Sequence, residues 1–261
     1  MKENRELKKF YDSVYRKGER RHYTSLLFSG DKVPPARAEV LREILWKNKT
    51  VLDAGCGTGE LAYAVASRGA KFVQGVDFSQ EAIRLAQKTY ALPNLGYVCA
   101  DLAGVRGKFD VIVSLGTLEH TDDPLVSLQA LKEMLKPGGH LIVTCPNWSN
   151  PRGYILQTLR ILFGARITLA DLHYFTPLEF QQFAKDLKMK LTWRTVDQDW
   201  SHGEKLVRDF ARRLPNVVRD SKLPTAQKQI DAFVEWIKTH VVPLEQDLPH
   251  TGAIGVYHFR K

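Results

Sequence analysis

Thr50-Val51-Leu52-Asp53-Ala54-Gly55-Cys56-Gly57-Thr58-Gly59-Glu60 decides the fold. Val51 and Leu52 begin an apolar strand, glycines recur at every second position, and Leu61-Ala62-Tyr63-Ala64-Val65 resumes at helical spacing. Strand, glycine loop and helix form the entry to a nucleotide-type site, because glycine lets backbone N–H groups approach a ligand at a helix N-terminus. The dinucleotide pattern G-x-G-x-x-G needs a glycine where Glu60 stands, and the third glycine falls one place early, at Gly59. A phosphate-binding P-loop fails as well, since no Gly-Lys-Ser/Thr follows. Asp53 and Glu60 flank the loop, and two carboxylates there repel a diphosphate but welcome positive charge. S-adenosylmethionine, with an ammonium, a sulfonium and no phosphate, meets that condition.

The next strand, Lys71-Phe72-Val73-Gln74-Gly75-Val76-Asp77, ends in an acid 22 residues after Gly55. That is about where an acidic residue takes ribose hydroxyls in a doubly wound sheet, roughly 20 residues on. Farther along stand Val76-Asp77-Phe78-Ser79, Ala100-Asp101-Leu102, Phe109-Asp110-Val111-Ile112 and Leu135-Lys136-Pro137-Gly138-Gly139. With the glycine loop, these five in order resemble the motifs of the class I S-adenosylmethionine-dependent methyltransferases, over about residues 45–197. Within that family the nearest motifs are those of the quinone-biosynthesis O-methyltransferases.

The resemblance implies an α/β fold: a Rossmann-like sheet, mostly parallel with the last strand antiparallel, and helices on both faces. It also implies S-adenosyl-L-methionine as cofactor. Asp77 would take both ribose hydroxyls, Phe78 would stack near the adenine, and Asp101 would accept from the adenine amino group beside the Leu102 amide. Asp53, Gly55, Cys56, Gly57, Gly59 and the Ser114–Leu115 backbone would hold the methionine end. Asp110 reads as structural. In the family an N-terminal segment often folds over the cofactor, which makes Tyr11, Tyr15 and Tyr23 candidates to cover it; the alternative is that they pack that segment down. Gly116-Thr117-Leu118-Glu119-His120 is similar to a segment of the quinone-biosynthesis group, where a glutamate often helps to bind a metal three places before Glu119. Here that place is Gly116, so no metal is expected. Glu119, His120 and His173 (in Asp171-Leu172-His173-Tyr174-Phe175) are the candidate catalytic groups, with loop-fixing histidines as the alternative; His22 is a weaker third histidine.

The elements alternate regularly: strand 50–54, helix 58–68, strand 72–77, helix 79–90 with Ser79 as N-cap, and strands 96–99 and 109–114. Asp123-Pro124 caps the next helix, Leu125, Leu128, Leu131 and Leu135 form its buried stripe, and Pro137-Gly138-Gly139 ends it before strand 140–145. Helices between strands imply parallel pairing, with ligands at the strands' carboxyl ends. Residues 1–46 read as an N-terminal helical cap and 47–197 as the cofactor-binding core. Residues 198–252 read as a helical insertion, and 253–261 as the last strand of the core sheet. Leu206, Val207, Phe210, Ala211 and Leu214 form one stripe of the insertion, and Ile230, Phe233, Val234, Ile237 and Val241 another, read as a lid or a homodimer surface. The apolar helix 154–163, interrupted by Arg160, is too short to span a bilayer but long enough to lie on one or roof a pocket.

A chain of 261 residues, 44% hydrophobic, can bury a full core. No apolar run approaches the roughly 20 residues of a spanning helix. Cys56, Cys99 and Cys145 lack C-x-x-C spacing and read as reduced and structural, so a cytoplasmic setting is expected. The net charge of +9 sits in the flanks: residues 51–150 carry 8 Lys/Arg against 10 Asp/Glu, while 1–50 carry 13 against 7 and 151–261 carry 17 against 12. An anionic substrate, a phospholipid surface or RNA would suit the flanks, as would a solubilising coat. No DNA- or RNA-binding module or aromatic-basic motif is present, and the Asn/Asp-Pro-Pro-Tyr/Phe motif of amino-group methyltransferases on nucleic acids is missing after Ser114. The expected activity is methyl transfer to a small or lipid-linked acceptor, at oxygen, with peripheral contact to an anionic surface. RNA modification, or a cofactor-binding but inert partner subunit, stands as the alternative.

Overall fold

A computed structural model describes Lys9, Asp12, Ser13 and residues 33–168, 170–244 and 248–261. Tyr11, Tyr15, His22 and Tyr23 lie outside the described residues. In chain order the elements are α1 (Pro35–Arg42), β1 (Thr50–Ala54), α2 (Glu60–Ala66), β2 (Phe72–Asp77), α3 (Gln80–Thr89), β3 (Leu95–Cys99), β4 (Phe109–Leu115) and α4 (Pro124–Glu133). There follow β5 (Leu135–Pro146), α5 (Pro151–Phe163), α6 (Pro177–Asp186), β6 (Lys190–Val196), α7 (Gln198–Ser201), α8 (Glu204–Asp220), α9 (Gln227–His240) and β7 (Ile254–Arg260).

The strands form one sheet in the order β3-β2-β1-β4-β5-β7-β6. β1 to β5 pair in parallel, and β7 runs antiparallel between β5 and β6. Both faces are apolar because successive side chains alternate. Leu52, Ile112, Leu141, Val143 and Phe259 face one way and meet Leu128 and Leu131 of α4 and Phe180 of α6. Val51, Val111, Val113 and Ile142 face the other way and meet Val40 of α1, Trp46, and Leu61 and Val65 of α2. A parallel sheet needs this double cover, and its strands read as continuous apolar runs for that reason.

The expected caps are present: Ser79 accepts from the Ala82 N–H, Asp123 from the Val126 N–H, and Thr176 and Glu179 close a reciprocal capping box. Helix 58–68 is shorter than expected, since Gly59 adopts φ +86° and α2 starts only after it. Pro137-Gly138-Gly139 does not terminate α4. Phe109 pairs with Leu135 and its N–H donates to the Met134 carbonyl at 2.9 Å, so β5 has already begun. The glycines lie inside β5, where the register shifts between Phe109 and Val111 and Gly138 takes φ +69°.

A third apolar cluster joins Trp148, Leu156 of α5, Leu206, Phe210 and Leu214 of α8, and Ile230 and Ile237 of α9. The helical stretch before β7 therefore has its own core, shared with α5. Ala211 is exposed, off the stripe to which it had been assigned. Among the described residues no helix is long and apolar enough to cross a membrane.

Candidate active site

Gly55, Gly57 and Gly59 have φ of +78°, +51° and +86°, the left-handed region that side chains resist. At Gly55 and Gly59 space is also closed: a Cβ would stand 2.3 Å from Thr117 Oγ1 and 2.5 Å from the Tyr97 hydroxyl, respectively. The loop is tied to the end of β2. Gly57 N–H donates to Asp77 Oδ2 and Ser79 N–H to Asp77 Oδ1, each at 2.9 Å. Burial pushes the Asp77 carboxyl up, and these N–H groups work against it. Ser79 Oγ also donates to Asp12 Oδ1 at 2.5 Å.

Asp53 is 2% exposed, and its Oδ2 has no hydrogen-bond partner among the described residues. Burial raises its carboxyl to about 7; Arg37 opposes the rise and Asp77 adds to it. Burial, with Asp53 and Asp77 nearby, also holds the Cys56 thiol protonated. Ser114 Oγ donates to the Ala54 carbonyl at 3.0 Å, so that side chain ties β4 to β1. Phe78 and Leu102 are half-buried, Leu115 ends β4, and exposed Asp101 leads into the turn Leu102–Gly104. Asp110 is structural: it accepts from Thr50 N–H, Thr50 Oγ1 and Lys136 Nζ at 2.7–2.9 Å.

The three candidate catalytic groups come together through two segments far apart in sequence. The Glu119 carbonyl accepts from the N–H groups of Leu172 and His173 at 2.9 and 3.1 Å. In return His120 Nδ1 lies 3.1 Å from the Ala170 carbonyl and 3.6 Å from Asp171 Oδ1. His173 Nε2 lies 2.8 Å from the Thr121 carbonyl, and its ring stacks on Phe175. Each histidine thus commits one ring nitrogen to the opposite segment. Glu119 is 3% exposed, and its Oε2 has no partner among the described residues. Burial raises its carboxyl to about 8, Asp171 adds to the rise, and its own backbone N–H and Cys145 oppose it. Gly116 takes φ +62° with Glu119 Oε1 3.7 Å from where its Cβ would be.

Behind this pair lies a buried ionic cluster that sequence reasoning missed. Arg152 Nε of α5 meets Asp209 Oδ2 of α8 at 2.9 Å, and Arg213 binds the same carboxylate and the Ile167 carbonyl. Arg152 also stands 5.5 Å over the Trp148 ring. Thr117 and Tyr97, which close around the glycines, were missed as well, since strand pairing alone brings them there. Arg160, read as an interruption of an apolar helix, lies over the Tyr174 ring at 4.3 Å.

Residues 28–191 match the family model described as a methyltransferase domain. A ubiquinone biosynthesis O-methyltransferase of Neisseria meningitidis serogroup C is 36% identical over 116 residues, covering 42% of this chain and 48% of that one. One from Alkalilimnicola ehrlichii is 30% identical over 172 residues, covering 61% and 68%. The match thus spans about half the length of the Neisseria relative. A methyltransferase solved with the Trm112 methyltransferase activator of Haloferax volcanii superposes with TM-score 0.61 at 15% identity, over 96% of each chain. An S-adenosylmethionine-dependent methyltransferase of Thermotoga maritima gives 0.59 at 16%, over 96% and 98%. The structures share the fold; the family model, over more than half of the chain, fixes the kinship. This chain belongs to the methyltransferase domain family, as a class I S-adenosylmethionine-dependent member.

Proposed function

We propose that this chain moves the methyl group of S-adenosylmethionine to a hydroxyl of a small or lipid-linked acceptor. The observation that carries the reading is the set of acidic groups at the carboxyl edge of the sheet: Asp53, Asp77 and Glu119 are all buried there, two of them with an oxygen that has no partner among the described residues. Such a cradle fits a cationic cofactor and repels a diphosphate. Bound there, the cofactor supplies an electrophilic methyl on a sulfonium. The chain's part is to hold and align the two reactants, exclude water and take the acceptor proton.

Cofactor holding is assigned to the loop from Gly55 through Cys56 and Gly57 to Gly59, to Asp53 and Asp77, to Phe78, Asp101 and Leu102 at the adenine, and to the Ser114 and Leu115 backbone. Glu119 is the better base: its carboxyl sits near 8, close to a working pH, and its buried Oε2 has no partner among the described residues. His120 and His173 hold the two segments around it. Relatives named for ubiquinone biosynthesis and O-methylation favour oxygen and a lipid-linked acceptor. So does α5, which exposes Tyr154, Ile161, Leu162 and Phe163 beside Arg160, a face suited to an anionic lipid surface.

The test supplies methyl-labelled S-adenosylmethionine with catechols, with and without a polyprenyl tail, and with bulk RNA. Label in an organic-extractable ether, lost at least tenfold in Glu119→Gln, is the expected result. Label in nucleotides would establish RNA modification instead. No label anywhere, with adenosylhomocysteine bound and a second methyltransferase copurifying, would make this chain a partner subunit.

A further inference from the structure

We propose that Asp53 exchanges a proton for the cationic end of the cofactor, so that cofactor binding is linked to pH through this one carboxyl. The inference rests on the cofactor reading above and concerns what this chain's own residue does on binding. Asp53 is the penultimate residue of β1, just before the glycine loop, is 2% exposed, and keeps Oδ2 unpartnered among the described residues. A buried, unpaired carboxylate oxygen is costly, and an acid placed so takes up a proton in the absence of a cation. A cation arriving beside it reverses that preference and expels the proton.

The neighbours point the same way. Asp77 from β2, Glu60 from α2 and the Cys56 and Tyr97 groups face Asp53 without offering positive charge, and Arg37 of α1 is the cation acting on it. Burial outweighs Arg37 and leaves the carboxyl near 7, so both forms are populated at neutral pH. Asp77 is a poorer candidate, because both of its oxygens already accept N–H bonds that hold its charge. For an acid of pKa about 7 that is fully ionised when ligand is bound, binding releases about 0.9 proton at pH 6, about 0.5 at pH 7 and about 0.1 at pH 8. Affinity correspondingly tightens close to tenfold from pH 5.5 to 6.5 and levels off above about pH 8.

Titration calorimetry of the full chain with adenosylhomocysteine, in paired buffers of different ionisation enthalpy, counts these protons without any methyl acceptor. The expected result is the stated release in the wild type, abolished in Asp53→Asn, which binds more weakly and with little pH dependence. Saturable binding with no proton exchange at pH 6 and 7 would overturn the linkage while leaving the cofactor reading intact. Release that persists in Asp53→Asn and disappears in Glu119→Gln would move the exchange to Glu119 and equally overturn it. No binding of adenosylhomocysteine at any pH would remove the cofactor reading and the linkage together. If Asp53→Asn does not fold, Glu119→Gln decides between the two acids: release unchanged from the wild type supports Asp53, and release lost overturns it.

Discussion

The two halves of the site are held by different kinds of bond. Around the glycine loop the geometry is local: three left-handed glycines and, 20 residues after Gly57, a carboxylate that accepts the Gly57 N–H. Around Glu119 it is assembled from a distance, by hydrogen bonds between segments 50 and 52 residues apart and by an Arg152–Asp209 pair spanning 57. The first half is set by conformations only certain residues adopt, so its sequence is constrained position by position. The second depends on buried charges meeting across helices, which many sequences could satisfy. A change in one half should therefore leave the other working, and that independence can be tested.

The largest effect is expected at Asp209. It is the carboxylate shared by Arg152 and Arg213, and Arg152 has a side chain only 13% exposed. Burial pulls the Arg152 guanidinium down towards its neutral form, and Asp209 opposes this. Asp209→Ala leaves that charge buried and unpaired, which costs about 3–5 kcal/mol. Urea unfolding should show the loss, while adenosylhomocysteine affinity, measured where the variant is folded, stays within about threefold of wild type. Unfolding changed by less than about 1 kcal/mol would mean the cluster does not hold the acceptor half.

A paired substitution sharpens the contrast. Gly55→Ala must adopt φ +78° and place a Cβ 2.3 Å from Thr117 Oγ1; the backbone strain and overpacking together cost about 2–4 kcal/mol and abolish adenosylhomocysteine binding. Gly116→Ala has a similar φ of +62° but open space, with Glu119 Oε1 at 3.7 Å as its near neighbour. It should cost about 1 kcal/mol and leave cofactor affinity unchanged. Equal losses of affinity in the two variants would erase the distinction between the halves.

The same division explains what could be read from the chain alone. Ser79, Asp123 and Thr176 were legible as caps because a cap is satisfied within three residues. The alternating strands were legible because each buries both faces. Pro137-Gly138-Gly139 was misread as a stop, since its effect depends on Phe109 recruiting Leu135 into the sheet. Arg152, Asp171 and Asp209 carried no local signal; each looks like an ordinary surface charge until α5 and α8 pack. Glu119, His120 and His173 stand out by resemblance, yet their reciprocal bonding to opposite backbones does not, because neither segment has regular periodicity.

The last prediction concerns Glu119 and separates a buried acid from a paired one. Its folded-state carboxyl stands near 8 against an ordinary value of 4.5, so the native protein keeps a proton that the unfolded chain gives up. Between about pH 4.5 and 8 stability therefore falls as pH rises, and the loss is complete above the folded value. Asp53 acts in the same sense below about pH 7 but is untouched by a change at Glu119. Glu119→Gln cannot ionise. It should melt close to the wild type at pH 5 and at least several degrees above it at pH 9, the direction set by the raised carboxyl. Coincident melting at both pH values would mean that a cation already neutralises Glu119 in the folded protein. In that case the acceptor half would be charge-balanced like the Asp209 cluster behind it, and Glu119 would lose its claim as the base.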